Sequence, residues 1–315
     1  MKTAFVFSGQ GSQTIGMGKA LYHNFQAAKD VFDEVDDALK MHLSQMMFDG
    51  NIEDLTKTQN AQPAIMAVGM AVFKTLEQEL GRPLCEKAAY MAGHSLGEYT
   101  ALCAADVMTI TDTAKILYMR GWAMAWASAI IYGGMAAVLG LSYEQVITLV
   151  QEVSRPDKQV FIANDNCPGQ VIVSGDKDAL ENLKEKAEQM GAKKVIMLAV
   201  SGAFHSPYMK PAADEMVDLL NQVTLLPPKV PVISNVGAAP EINPERIRKN
   251  LLAQITAPVL WRESVEFMIK QGTDTFIECA NGKVMGGLIK RISENVNILS
   301  VGDADTIQSA LNLLR

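Results

Sequence analysis

A chain of 315 residues can bury about three quarters of its unfolded surface, so a complete α/β enzyme domain is within its reach. Acidic residues outnumber basic ones, 35 to 28, for a net charge of −7; that balance argues against a general binder of nucleic acid or of anionic membranes. Cys85, Cys103, Cys167 and Cys279 lie far apart with no CxxC pair, which points to reduced thiols in a cytoplasmic protein and to neither a disulfide framework nor a zinc site.

The elements follow in chain order. TAFVFSG reads as a strand running into the glycine-rich loop SGQGSQ (8–13), and its apolar run, AFVF, is too short for a signal-peptide core. Gln62 to Leu80 reads as a helix with Pro63 in its first turn and Ile65, Val68, Val72, Leu76 and Leu80 along one face. KAAYMAG is a short strand, and LGEYTALCAADV the helix after it. From Gly121 to Tyr143 no residue is charged, a length that nominally qualifies as a membrane span. The Gly133-Gly134 pair favours instead a helix end, a linker and a buried strand.

Between about 128 and 200 the order is β-α-β-β-α-β, the split βαβ or ferredoxin-like unit, placed as an insertion. The expected division is a large unit of residues 1–127 and 201–315 and a small one of 128–200. The larger rhythm resumes with a helix at 207–223, the strand PVISNV, a helix leading into WRESVEFMIKQG and the strand TFIECA. Short apolar strands alternating with helices predict an α/β fold with a parallel sheet. No internal repeat and no low-complexity linker interrupts it.

GHSLG (93–97) matches G-x-S-x-G between a predicted strand and helix. A serine on such a turn stands proud of the sheet, flanked by small residues that permit the bend. This makes Ser95 a candidate nucleophile, with the Leu96 amide aimed to hold an oxyanion at a helix N-terminus. The chain has four histidines: His23 and His42 lie in polar helical stretches, and His94 should point away from Ser95 across the turn. His205, in VSGAFHSP after the strand KKVIMLAV, sits at a strand end and is the candidate base. SGQGSQ lacks the P-loop lysine and the GxGxxG spacing; it is suited to supply a second oxyanion amide, from Gln10.

GQGSQ, NAQPAI, GHSLGEY, YMRG (118–121), NDNCPGQVIVSG, GAFHS with MKPAAD, and PVISNV occur in this order over almost the whole chain. Together they resemble the malonyl-CoA:acyl carrier protein transacylases, the acyltransferase family of fatty acid and polyketide synthesis. The resemblance implies an α/β-hydrolase-like core with a ferredoxin-like insertion and an active site in the cleft between them. It implies a ping-pong reaction through a malonyl-serine ester, with coenzyme A leaving and the phosphopantetheine thiol of an acyl carrier protein arriving. No metal and no cofactor beyond the coenzyme A thioester is expected, and neither a nucleic-acid nor a membrane partner.

The resemblance makes Ser95 the nucleophile, His205 the base, Gln10 and Leu96 the oxyanion amides, and Arg120 the partner of the substrate's free carboxylate. Gln254 corresponds to the residue whose main-chain carbonyl orients the histidine, and Gln62 and Asn164 to polar pocket residues. Arg120, read as ending a helix beside the uncharged stretch, has a guanidinium fork suited to a carboxylate, or is an ordinary helix C-terminal cation. Phe204 before the base resembles malonyl-selecting members, where a ring beside the acyl C2 leaves little room for a branch; as plain core packing it is equally well explained. Carrier proteins of the family are acidic, which directs attention to Lys193, Lys194, Lys290 and Arg291 as a docking patch.

The sequence departs from the family in WASAIIYGG, where a polar, Gly/Pro-rich hinge is usual, and in ECANGK near the C-terminus. A serine acyl hydrolase and a non-catalytic carrier-binding subunit are the rivals. No Asp or Glu stands in a convincing strand-end loop between Ser95 and His205 to complete a hydrolase triad.

Overall fold

The computed structural model describes residues 2–315. Its strands are β1 (Thr3–Phe7), β2 (Ala88–Gly93), β3 (Gly133–Leu139), β4 (Val160–Cys167), β5 (Gln170–Asp176), β6 (Lys194–Met197), β7 (Val232–Ile233), β8 (Pro240–Glu241), β9 (Thr275–Cys279) and β10 (Asn297–Val301). Four helices, α1 (Lys19–Asn24), α2 (Gln26–Leu39), α3 (Leu43–Asp49) and α4 (Ile52–Thr56), precede the long α5 (Thr58–Leu80). After β2 come α6 (Leu96–Ala104) and α7 (Ile110–Ile130); α8 (Tyr143–Val153) and α9 (Lys177–Gln189) cross between strands of the second sheet. The rest are α10 (Lys210–Gln222), α11 (Pro244–Gln254), α12 (Trp261–Lys270), α13 (Val284–Ile292) and α14 (Ala304–Leu314).

The larger sheet runs β10-β9-β1-β2-β7-β8, parallel except for the edge strand β8. β1 and β9 are buried at every position, as expected for parallel strands covered on both faces. Parallel pairing sends the C-terminal ends of β1, β2, β7 and β9 to one edge, where α/β folds collect their ligands. The second sheet is antiparallel, β4-β5-β3-β6, with its own core of Val138, Val146, Leu149, Val173, Leu180 and Leu183. This is the α/β architecture with a ferredoxin-like β-α-β-β-α-β unit that the alternation predicts.

Two joints fix the sheets to each other. Backbone bonds from Asp165 N to Val259 O (3.0 Å) and from Val259 N to Ala163 O (2.9 Å) stitch β4 to the segment after α11. Arg262 Nη2 meets the buried Asp165 Oδ2 at 2.7 Å.

The structure corrects several expectations. α5 begins at Thr58, so Pro63 lies inside the helix and not in its first turn. Arg120 lies in the middle of α7, which continues to Ile130. The helix gives way to extended chain at Ile131 and Tyr132, and the two glycines already belong to β3. The outer face of the uncharged stretch is not buried: Trp122 and Trp126 are about 40 % exposed and stack with rings 3° apart, and Ile130 is 58 % exposed. Among the described residues no helix is long and apolar enough to cross a membrane. PVISNV pairs over Val232–Ile233 alone, and the chain-order pattern predicts none of α1–α4, β8, α13, β10 and α14.

Candidate active site

The elbow is built by close backbone approach. A Cβ on Gly93 would stand 1.9 Å from Gly97 O, and one on Gly97 2.4 Å from Phe7 O, so neither position accepts a side chain. Ser95 between them has φ 53° and ψ −107°, a strained conformation for a non-glycine residue. Asn235, just past β7, holds that strain in place: its Oδ1 accepts from Ser95 N at 2.8 Å, and its Nδ2 donates to Gly93 O at 2.8 Å. Leu96 is the first residue of α6, whose opening N–H groups have no partner within the helix.

His205 also has positive φ, 56°. The approach to it is narrow, since a Cβ on Gly202 would fall 1.9 Å from Ser128 Oγ on α7. The Nε2 of His205 lies 2.8 Å from Ser95 Oγ, and its Nδ1 2.8 Å from Gln254 O at the end of α11. A carbonyl accepts only, so Nδ1 carries the proton and Nε2 faces the serine with a lone pair. Burial, and secondly the Arg120 charge, push the His205 imidazole down to about 3, so it is neutral at physiological pH.

Arg120 is 1 % exposed, and burial draws its guanidinium below the ordinary value. Its hydrogen bonds go to neutral oxygens: Nη1 to Gln62 Oε1 (2.7 Å), Nη2 to Ser95 Oγ (3.0 Å) and to Gln254 Oε1 (2.9 Å). The Tyr99 ring lies 5.3 Å from its Cζ, and its Nε has no hydrogen-bond partner among the described residues. The glycine of YMRG places it: a Cβ on Gly121 would stand 2.5 Å from Gln59 Cα and Thr58 O, so α7 lies directly on the first turn of α5. Gln62, one turn further along α5, thereby reaches the guanidinium.

Ser95, His205, Gln10, Arg120, Asn164 and Phe204 line one cleft of about 330 Å³ at the strand-end edge. β1 pairs with β2 in the register Phe7↔Gly93, which brings the loop bearing Gln10 beside the elbow. Gln62 and Gln254 stand behind Arg120. His94 turns to Asn166 Oδ1 (2.9 Å), while His23 and His42 are exposed. The four basic residues expected to dock the carrier do not line the cleft. Lys194 pairs with Leu139 at the end of the second sheet remote from Met135, which lines the cleft. Arg291 bonds Gln170 Oε1 and Pro168 O there, and Lys193, Lys194, Lys290 and Arg291 are all exposed.

Sequence reasoning missed Glu98 and Asn235. Both stand in quoted motifs, GHSLGEY and PVISNV, but their partners are 137 to 156 residues distant, beyond any local pattern. Glu98 is a buried acid one residue removed from the dyad through Gln254: its Oε2 accepts from Gln254 Nε2 (2.6 Å) and Asn235 N (3.1 Å). Burial raises it to about 7. Among the described residues no group of three or more His, Cys, Asp or Glu is placed to hold a metal ion.

A serine on a strand-to-helix elbow, bonded to a histidine that a third group orients, is the arrangement of serine acyl-transfer enzymes. The family profile described as acyl transferase domain matches residues 4–301, and the chain belongs to that family. It is 41 % identical over 314 residues to a malonyl CoA-acyl carrier protein transacylase of Bacillus subtilis, covering all of this chain and 98 % of that one. The crystal structure of the acyl-carrier-protein-S-malonyltransferase of Bartonella henselae superposes with a TM-score of 0.96 at 47 % identity, covering 100 % and 99 % of the two chains. A malonyl-transacylase solved in complex with a type II PKS acyl-carrier protein superposes with a TM-score of 0.94 at 35 % identity, covering 99 % and 100 %.

Proposed function

We propose that the chain moves the malonyl group of malonyl-CoA to the phosphopantetheine thiol of an acyl carrier protein through a malonyl ester of Ser95. The observation that carries this reading is one buried arginine, Arg120, 3.0 Å from a serine oxygen that is also 2.8 Å from a neutral histidine nitrogen. Such a site joins a nucleophile and base to a cation suited to a carboxylate on the acyl group.

In the first half-reaction Ser95 Oγ attacks the thioester carbonyl carbon while His205 Nε2 takes its proton. The oxyanion is held by the amides of Gln10 and Leu96. Collapse breaks the C–S bond, and the thiolate of coenzyme A takes the proton back from Nε2. In the second half the carrier's thiol gives its proton to Nε2, attacks the ester carbonyl, and Ser95 leaves as the alcohol. The chemistry uses hydroxyl, imidazole and thioester alone, and the reading includes no cofactor.

Gln254 O, not a carboxylate, accepts the hydrogen bond from Nδ1–H, which separates this reading from a triad hydrolase. Asn164 and Phe204 line the acyl pocket, with the ring limiting branches at C2. The reading includes a small subdomain of 128–200 set on a large one of 1–127 and 201–315, a cytoplasmic setting, and carrier docking at Lys193, Lys194, Lys290 and Arg291.

The test is mass spectrometry of the enzyme after malonyl-CoA, with and without carrier protein. A malonyl adduct on Ser95 that passes to the carrier is expected, and Ser95→Ala should abolish it with the fold intact; loss of a nucleophile costs on the order of 10⁶ in kcat in a serine protease. Free malonate released as fast as the adduct turns over would make the chain a hydrolase, and no adduct at all a carrier-binding subunit.

A further inference from the structure

Arg120 is a buried cation whose hydrogen bonds end on neutral oxygens. A buried charge without a counter-charge is costly, so its compensation must be sought one step out. One amide provides the step. Gln254 accepts from Arg120 through Oε1 (2.9 Å) and donates through Nε2 to Glu98 Oε2 (2.6 Å). The amide dipole thus points its oxygen at the cation and its nitrogen at the carboxylate. The same Nε2 reaches Ser95 O (3.0 Å) and Asn235 Oδ1 (3.2 Å), and the Gln254 carbonyl holds His205. An inverted amide would set nitrogen against guanidinium and oxygen against carboxylate, so Glu98 dictates its orientation.

We propose that Glu98 is a positioning residue and the resident counter-ion of Arg120: acting through the Gln254 amide it partly neutralises the guanidinium while the acyl pocket is empty, and it sets how strongly Arg120 selects an acyl group that carries a carboxylate. Glu98 touches neither substrate nor reacting atoms. The proposal rests on the malonyl reading above and deepens it. A substrate carboxylate and Glu98 then compete for one cation, so neutralising Glu98 strengthens the claim of the substrate. Acetyl groups, which bring no charge, gain nothing.

The first test is Glu98→Gln, which keeps an acceptor toward Gln254 and Asn235 and removes the charge. The ratio of kcat/KM for malonyl-CoA over acetyl-CoA should rise on the order of tenfold, within the usual range of coupling between sites. A merely structural role predicts equal losses for both substrates, and that outcome overturns the proposal.

The second test needs no variant. Ionisable groups acting on Glu98 are Arg120 on α7 and Tyr99 on its own helix, while the loop after β7 and the end of α11 present the neutral Ser234, Asn235 and Gln254. Tyr99 is raised to about 12, and His205, at about 3, does not titrate between pH 6 and 8.5. Glu98, at about 7, does. In the wild-type enzyme the malonyl-to-acetyl ratio should therefore climb as the pH falls through 7, and a flat ratio refutes the coupling. If Ser95 forms no malonyl adduct at any pH, the functional reading fails first and this inference with it.

Discussion

At the scale of single residues, the same arginine that is proposed to pair with the substrate's carboxylate also weakens the base. The Arg120 charge is the second cause, after burial, of the low basicity of His205. If Arg120 pairs with a malonyl carboxylate, as proposed above, its charge is offset and Nε2 becomes a better base when that acyl group is present. Arg120→Ala deletes both the partner and the coupling. Losing one member of a buried pair costs roughly 3–5 kcal/mol, or about 10²–10³-fold or more in kcat/KM for malonyl-CoA. Acetyl-CoA should lose little or gain, because His205 is freed from a neighbouring cation. Steady-state kinetics with both thioesters checks this, and equal losses would assign Arg120 to the scaffold.

At the scale of elements, α7 decides where that arginine stands. The helix rests on the first turn of α5 at Gly121, where only a hydrogen fits against Thr58 O and Gln59 Cα. Both obstructing atoms are backbone and cannot swing aside. Gly121→Ala should therefore cost about 1–3 kcal/mol, as overpacking does, and pull Arg120 away from Gln62. Urea unfolding should show a lower midpoint, and malonyl transfer should fall more than acetyl transfer. An unchanged midpoint counts against this contact as the support of Arg120. YMRG made the arginine visible in the sequence, but not its place in mid-helix: the uncharged run after it looked like a boundary. Helical periodicity continues through Trp122 and Trp126 because the outer face of α7 stays exposed, and a string of apolar residues does not say which of them a neighbour covers.

At the scale of the whole molecule, two buried groups oppose each other in their response to pH. His205, depressed from 6.5 to about 3, is protonated first in the unfolded chain, so its contribution to stability is lost as the pH falls from about 6.5 to 3. Glu98, raised from 4.5 to about 7, is protonated first in the folded chain, so its contribution is lost as the pH rises from about 4.5 to 7. Between pH 4.5 and 6.5 the two slopes cancel. Glu98→Gln uncovers the histidine: relative to wild type, the variant should lose up to about 1.4 kcal/mol per pH unit on acidification through that window. Parallel pH profiles of unfolding free energy for the two proteins would contradict the assignment. The charge distribution bears on the partner as well: on the proposed reading, a chain with net charge −7 meets an acidic carrier through a local basic patch. Reversing Lys193 and Lys194 should raise KM for the carrier and flatten its dependence on salt while malonyl-enzyme formation is spared. Unchanged carrier kinetics would move the docking surface elsewhere.

The sequence by itself determined the α/β class, the order of the two sheets along the chain, the elbow and the identities of the dyad. Those are local facts: glycines that permit a turn, apolar runs that make buried strands, a histidine at a strand end. Tertiary structure alone decided that Gln254, whose carbonyl the family resemblance already pairs with the histidine, also serves the arginine with its side chain, that Asn235 holds the elbow, and that Glu98 stands behind them. These groups lie between 19 and 156 residues apart, and they meet because parallel pairing of β1, β2 and β7 carries their loops to one edge. A hydrogen bond requires about 3 Å and a direction, and no pattern along the chain encodes either across such distances.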